Sequence, residues 1–326
     1  MYVAEWHGQL EPCILKLDSD GNLWYLGNTL EGYISPANFT KLPSDEWGNV
    51  VQVSAGYGFF LLLKCNGEVY GWGSNEDGQL SGGTTNYYSN LHRIFKLNSI
   101  IEISSVDNFI LALDSNGNVW GCGDNGARQL GNGNATVYTP KIIESLPRCS
   151  KILATSRTGH AIDTEGRYWC WGNRRIPSYT KLIFQVEAFV QVGDKMIFLD
   201  SERNLWEGVK TFEKSRNNGG IVQLVASARR EVYILDELGH VYTLIKDQWH
   251  MIKLPDGPVL DIYGNRSIFF MTESDVVWTE SISMLMIQGE EHSIMIGGKQ
   301  TAIKKIKLPF NLPSTRHLPT KSARAL

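Results

Sequence analysis

Short apolar runs alternate with polar turns along most of the chain, and the turns repeat one template. Runs such as Phe59–Leu63, Phe109–Leu113, Met196–Leu199 and Val232–Leu235 are each followed by a polar turn and then an aromatic residue. The template is clearest in Asp18-Ser-Asp-Gly-Asn-Leu-Trp24, Lys64-Cys-Asn-Gly-Glu-Val-Tyr70, Asp114-Ser-Asn-Gly-Asn-Val-Trp120 and Asp163-Thr-Glu-Gly-Arg-Tyr-Trp169. Fainter copies end at Trp206, Tyr242 and Trp278. The anchors Trp24, Tyr70, Trp120, Trp169, Trp206, Tyr242 and Trp278 are thus spaced by 46, 50, 49, 37, 36 and 36 residues. A period in this range is the mark of a repeat architecture.

Within each unit, two β-prone runs flank a turn that usually carries glycine. This predicts a tight hairpin, because glycine supplies the positive φ of the primed turns. A further run precedes the hairpin, as in Val50–Val53, Ile100–Ile103, Ile221–Leu224 and Val259–Ile262. Another follows, often closing on Leu-Pro, as at Leu42-Pro43 and Leu254-Pro255, which suits an edge strand where the missing N–H breaks no ladder bond. No window shows sustained helical periodicity. Four antiparallel strands in each of seven units predict an all-β, seven-bladed β-propeller, because radial packing covers both faces of every sheet. It should occupy residues 1–309 as a single domain, with 310–326 as a disordered basic tail. The segment from Ser281 to Gln300 is compatible with an insertion in the last blade, a remnant blade, or a strand pair closing the ring against the N-terminus. The last is preferred.

Charge sharpens the picture. The 326 residues have a formal net charge of −3, but Lys299 to Leu326 holds seven basic residues and no acidic one. Removing those seven from 31 basic residues leaves 24 against 34 acidic ones, a body of net charge −10. Such a body disfavours nucleic acid, whose backbone calls for clustered Lys and Arg. Five cysteines without a Cys-x-x-Cys pair suit a reducing compartment. No signal-like N-terminus or long apolar stretch points to secretion or a membrane. The expected location is cytoplasmic or nuclear.

In units two and three the hairpin continues into Gly71-Trp-Gly-Ser-Asn-Glu-Asp-Gly-Gln-Leu80 and Gly121-Cys-Gly-Asp-Asn-Gly-Ala-Arg-Gln-Leu-Gly131. These resemble the signature of the regulator-of-chromosome-condensation repeat family, a Trp-Gly-x-Asn step leading into Gly-Gln-Leu-Gly. The departures are Ser81 for the last glycine, Cys122 for the tryptophan and Arg128 for the first glycine of the closing run. Unit four keeps Trp171-Gly172-Asn173 and then turns to Arg174-Arg175, while units five to seven lack the loop. The resemblance implies a rigid propeller that presents loops. Among its members are the exchange factor for the small GTPase Ran, a bacterial β-lactamase inhibitor and a plant ultraviolet photoreceptor. The photoreceptor's Gly-Trp-Arg-His-Thr motif is absent here.

No catalytic, cofactor or metal site emerges from the residues. The Asp18 and Asp114 turns place glycine fourth, and Thr29 and Asn125 twelfth, where a calcium loop needs glycine sixth and glutamate twelfth. The histidines are scattered without ligand spacing, His160 and His292 standing near strand starts. Gly297-Gly298-Lys299 lacks the leading glycine of a phosphate loop, and no Gly-x-Ser-x-Gly occurs. Trp6, Trp47 and Trp249 lie outside the repeat positions and would serve as partner anchors if exposed. Arg229-Arg230 is a second basic pair.

The function expected is a non-catalytic, monomeric protein–protein interaction scaffold, with a protein partner. The alternative is a guanine-nucleotide exchange factor for a Ran-like or other small GTPase. Candidate partner-binding residues are Ser74, Asn75, Glu76, Asp77, Asp124, Asn125, Arg128, Arg174 and Arg175, in the loops retained by units two to four.

Overall fold

A computed structural model describes residues 2–7, 12–18, 21–27, 35–83, 87–94, 99–131, 133–193, 195–208, 212–214, 220–226, 231–245, 248–254, 257–264, 268–272, 276–279, 290–296 and 299–307. Within them lie seven antiparallel sheets. Six contain four strands in chain order, spanning 2–41, 50–93, 100–142, 149–181, 186–214 and 221–252. The seventh, 259–307, has five. Among the described residues the only helix is the single turn Ser44–Trp47.

Each sheet is built from the hairpin template. In the third unit the Asp114 carboxylate accepts the backbone N–H of Asn116 and Asn118 at 2.9 Å each, the Asn118 side-chain amide at 2.9 Å, and the Trp120 indole N–H at 2.9 Å. Burial pushes this carboxyl up, and these four donors outweigh it, holding its pKa below the usual carboxylate range. The same indole-to-aspartate bond joins Trp24 to Asp18, Trp169 to Asp163 and Trp206 to Asp200, and Tyr242 uses its hydroxyl on Asp236. In unit two Lys64 replaces the aspartate, and the Tyr70 hydroxyl donates to Glu68 instead. The repeated aromatic is therefore a hairpin clasp, and the turn carboxylates are filled by protein donors. Trp278 occupies the corresponding strand, opposite Phe270.

Burial is graded across each sheet. The second strand is covered on both faces, as in Phe59–Leu63, whereas the outer strand Tyr88–Arg93 is largely open. Apolar clusters fill every interval between consecutive sheets: Phe60 and Leu62 pack with Leu15, Leu17 and Tyr25 on one side, while Phe59 and Leu61 pack with Ile110 and Ala112 on the other. Alternation along one strand thus serves two interfaces. Burying such side chains contributes about 1.5–3 kcal/mol each, so the sheets stabilise one another rather than stand alone.

The first strands of the sheets face one another in sequence, from Tyr2–His7 through Val50–Gly56, Ile100–Val106, Cys149–Thr155, Val186–Val192 and Ile221–Ala226 to Val259–Gly264, which returns to Tyr2–His7. Side chains clamp several of these joints. Gln52 accepts the Ile103 N–H at 2.9 Å and donates to the Ile103 carbonyl at 3.0 Å, and Gln223 does the same to Ile262 at 3.0 and 2.6 Å. One residue pair further along, Ser54 accepts the Ser105 N–H and Ser104 the Ala154 N–H. Glu102 occupies the glutamine position between the third and fourth sheets, accepting the Ile152 N–H at 3.2 Å. Burial pushes its pKa up to about 7 against the opposing charge of Lys151 and the Ile152 bond.

One expectation needs correction. Among the described residues no sheet combines strands from both chain ends: Lys299–Lys307 pairs with Val276–Thr279, and Glu290–Ile296 adds outside it. Glu290–Ile296 is therefore an added outermost strand of the last sheet, not a closure against the N-terminus, and His292 sits within it. Trp47 does not meet the condition of exposure set for a partner anchor. It is 4% exposed and meets Trp72 edge-on at 5.0 Å. Trp249 packs between the fifth and sixth sheets. The side chains of Trp6 and Trp278, and residues 229–230 and 310–326, lie outside the described residues.

Candidate partner-binding loops

The loops retained by units two to four start alike. Ser74, Asp124 and Asn173 donate their backbone N–H to Gly58, Asn108 and Arg157 at 2.6, 2.9 and 2.8 Å, tying each loop to the preceding turn of its own sheet. Asn75 and Asn125 then fold back, accepting the N–H of Leu80 at 2.7 Å and of Leu130 at 2.9 Å. Gln79 and Gln129 accept the N–H of Asp77 and Ala127. Leu80 and Leu130 plug the space over Gly71 and Gly121, where an added Cβ would come within 2.7 Å of either leucine. The Asn, Gln and Leu of the signature therefore each have a local structural task.

The loops also brace the next sheet. Asn108 donates to Asp77 at 2.6 Å, and the Cys122 thiol donates to the Gly78 carbonyl at 3.0 Å. Cys122 stands in the strand position of Trp72 and Trp171; the Trp171 indole likewise donates to the carbonyl of Gln129 in the preceding loop, at 2.8 Å. Burial pushes the Cys122 thiol up to about 12, which leaves it unreactive at neutral pH.

Burial divides the candidate residues. Asn75 and Asn125 are 0% and 1% exposed and turn into the loops, away from any partner. Ser74, Asp77 and Asp124 are half-buried, Asp124 accepting Gly126 N–H and the Gln129 amide at 2.8 Å each. Glu76, Arg128 and Arg174 are exposed. Arg175 opens the strand Arg175–Lys181, and its side chain is not among those described. Arg128 and Arg174 come together: the Arg174 N–H bonds the Ala127 carbonyl at 2.7 Å. Both hold positive φ, +65° and +63°. Arg128 therefore takes up the left-handed backbone that Gly78 supplies in the preceding loop, at a strain of about 1–3 kcal/mol. Sequence reasoning missed Arg157, exposed in the turn that anchors Asn173, because only the folded register brings it there.

His160 belongs to a different environment. Fully buried, it meets the Tyr168 hydroxyl at 2.7 Å, Thr158 at 2.8 Å and Gln191 of the next sheet at 3.1 Å. Burial pushes its pKa down to about 4 against the Gln191 bond, so it is a neutral strut at physiological pH. No group of three or more metal-ligating side chains occurs among the described residues.

Sheets stacked through paired apolar faces, joined by hairpins with clasped turns, define a repeat protein of propeller type. The family profile described as "Regulator of chromosome condensation (RCC1) repeat" matches residues 50–79 and 100–129, and the chain thus carries repeats of the regulator-of-chromosome-condensation family. Solved structures agree on the fold. Prp20p of Saccharomyces cerevisiae superposes with a TM-score of 0.66 at 15% identity, over 91% of this chain and 80% of that one; its structure was described with its binding to Gsp1p and histones. Human WBSCR16 gives 0.61 at 16% identity over 81% and 85%. The ectodomain of the Arabidopsis thaliana receptor kinase ACR4 gives 0.58 at 12% over 88% and 97%. No curated protein matches in sequence.

Proposed function

We propose that the chain is a closed, seven-bladed propeller that acts as a non-catalytic scaffold, engaging a protein partner through the loop ends of units two to four. The observation that carries this reading is the division of labour inside those loops. Their amides and leucines are consumed in bracing the framework, while Glu76, Arg128 and Arg174 are left to solvent on fixed backbone. Preorganised polar groups of this kind lower the ordering cost of association. The reading includes a monomer in the cytoplasm or nucleus that needs no cofactor.

The test is capture of a partner from the native cell by the full chain and by a variant with both loops, 74–80 and 124–130, shortened. Binding that is lost with the loops supports the scaffold; binding that survives places the contact on another face. A second reading, exchange on a small GTPase, draws support from the shared fold with Prp20p, whose binding to Gsp1p was described. An exchange factor needs a large interface, well above about 1,000 Å², and units five to seven offer short connections for it.

A further inference from the structure

We infer that Arg128, Arg157 and Arg174 form a receptor for a carboxylate-rich segment of a protein partner; the inference rests on the scaffold reading and names the chemistry of its partner. The three residues belong to separate stretches of chain that two backbone hydrogen bonds hold side by side, Arg174 N–H to Ala127 carbonyl at 2.7 Å and Asn173 N–H to Arg157 carbonyl at 2.8 Å. All three are exposed. None of them takes part in an ion pair among the described residues, where Arg93, Arg167 and Arg203 each have an acidic partner.

The acidic groups beside them are otherwise engaged. Asp124 is spent on Gly126 and Gln129, and Asp107 accepts the Ser156 hydroxyl at 2.6 Å. Like charges carried on neighbouring stretches of backbone repel where their side chains approach, and the backbone at Arg128 and Arg174 is strained. A body with net charge −10 has carboxylates in excess, yet the fold leaves these guanidinium groups without one.

Guanidinium forks match carboxylates in a two-pronged geometry, and three of them carried on neighbouring backbone favour a ligand with several carboxylates. A peptide rich in Asp and Glu brings that chemistry in a short footprint. A nucleic acid duplex brings anions too, but its charge continues beyond the patch and over the acidic body, where repulsion opposes it.

The experiment measures binding of a fluorescent twelve-residue Glu/Asp peptide to the full chain by anisotropy. The variant is R128G/R157Q/R174G, in which glycine also relieves the two positive-φ positions. The control, K41Q/K141Q/K253Q, removes equal charge from exposed sites elsewhere. Loss of three charge-assisted contacts should weaken the peptide by at least about tenfold in the arginine variant, and the control should bind as the parent does. Equal loss in both variants, or none in the arginine variant, overturns the assignment. So does a DNA duplex that binds more tightly than the peptide and is lost with the same arginines. Partner capture that still depends on the loops while the peptide fails to bind would overturn this inference and leave the scaffold reading standing, so the two failures are distinguishable.

Discussion

Replacing Glu102 by glutamine should stabilise the protein, and more so at pH 8 than at pH 5. The position is one of a series in which Gln52 and Gln223 clasp both the N–H and the carbonyl of the facing strand. An ionised Glu102 can accept the Ile152 N–H but has no proton to give the carbonyl beside it. Burial has raised its pKa from the usual 4.5 to about 7. A carboxyl raised in the folded state favours folding while protonated. That contribution is complete below the unfolded pKa and is lost as the pH rises through about 7. At 1.36 kcal/mol per pH unit the loss approaches about 3 kcal/mol, and partial solvent access at this half-buried side chain reduces it to about 1–3 kcal/mol. Glutamine removes the titration and restores the missing donor. Urea unfolding of parent and E102Q at both pH values measures the gap. A gap that is equal at pH 5 and pH 8, or an E102Q protein less stable than its parent at pH 8, would refute the clamp reasoning.

Other substitutions probe the remaining parts of the framework. Gly67→Val places a β-branched residue at φ +78° in a hairpin turn, and should destabilise by about 1–3 kcal/mol in denaturant unfolding. Trp120→Phe leaves the Asp114 clasp without its indole donor and should lower stability by about 1–3 kcal/mol, the usual range for a hydrogen bond to a charged group. Arg128→Gly should be neutral to stabilising, by up to about 1 kcal/mol, because glycine adopts φ +65° without strain. Ending the chain at Asp275 strips three strands from the last sheet and exposes apolar faces and an edge; the product should aggregate, and a soluble monomer with an unchanged melting midpoint would show that these strands contribute nothing.

The hairpins were legible in the sequence because their logic is local. Asp114, Asn118 and Trp120 lie within seven residues and bond to one another, so the template survives wherever those residue types recur. The repeat signature was legible for the same reason, but its chemical meaning was not. Asn75 and Asn125 look like polar loop residues in sequence and prove to be the buried fasteners of their loops. Long-range register hid the rest. Glu102 reads as one more surface acid until the facing Ile152 is known, and Arg157 gains its place beside Arg174 only through a backbone bond to Asn173. Trp47, outside the periodic positions, could be placed neither inside nor outside by the repeat, and it fills the gap between the first two sheets. The last sheet misled because Glu290–Ile296 is a fifth strand that the four-strand period does not contain.

The central claim is that this chain binds without catalysing. A Ran-like small GTPase from the native cell, loaded with a fluorescent guanine nucleotide and mixed with this chain, tests it most directly. The account predicts nucleotide release at the intrinsic rate, even at protein concentrations that saturate partner binding through the loops of units two to four. Release accelerated by orders of magnitude would contradict it and make the chain an exchange factor.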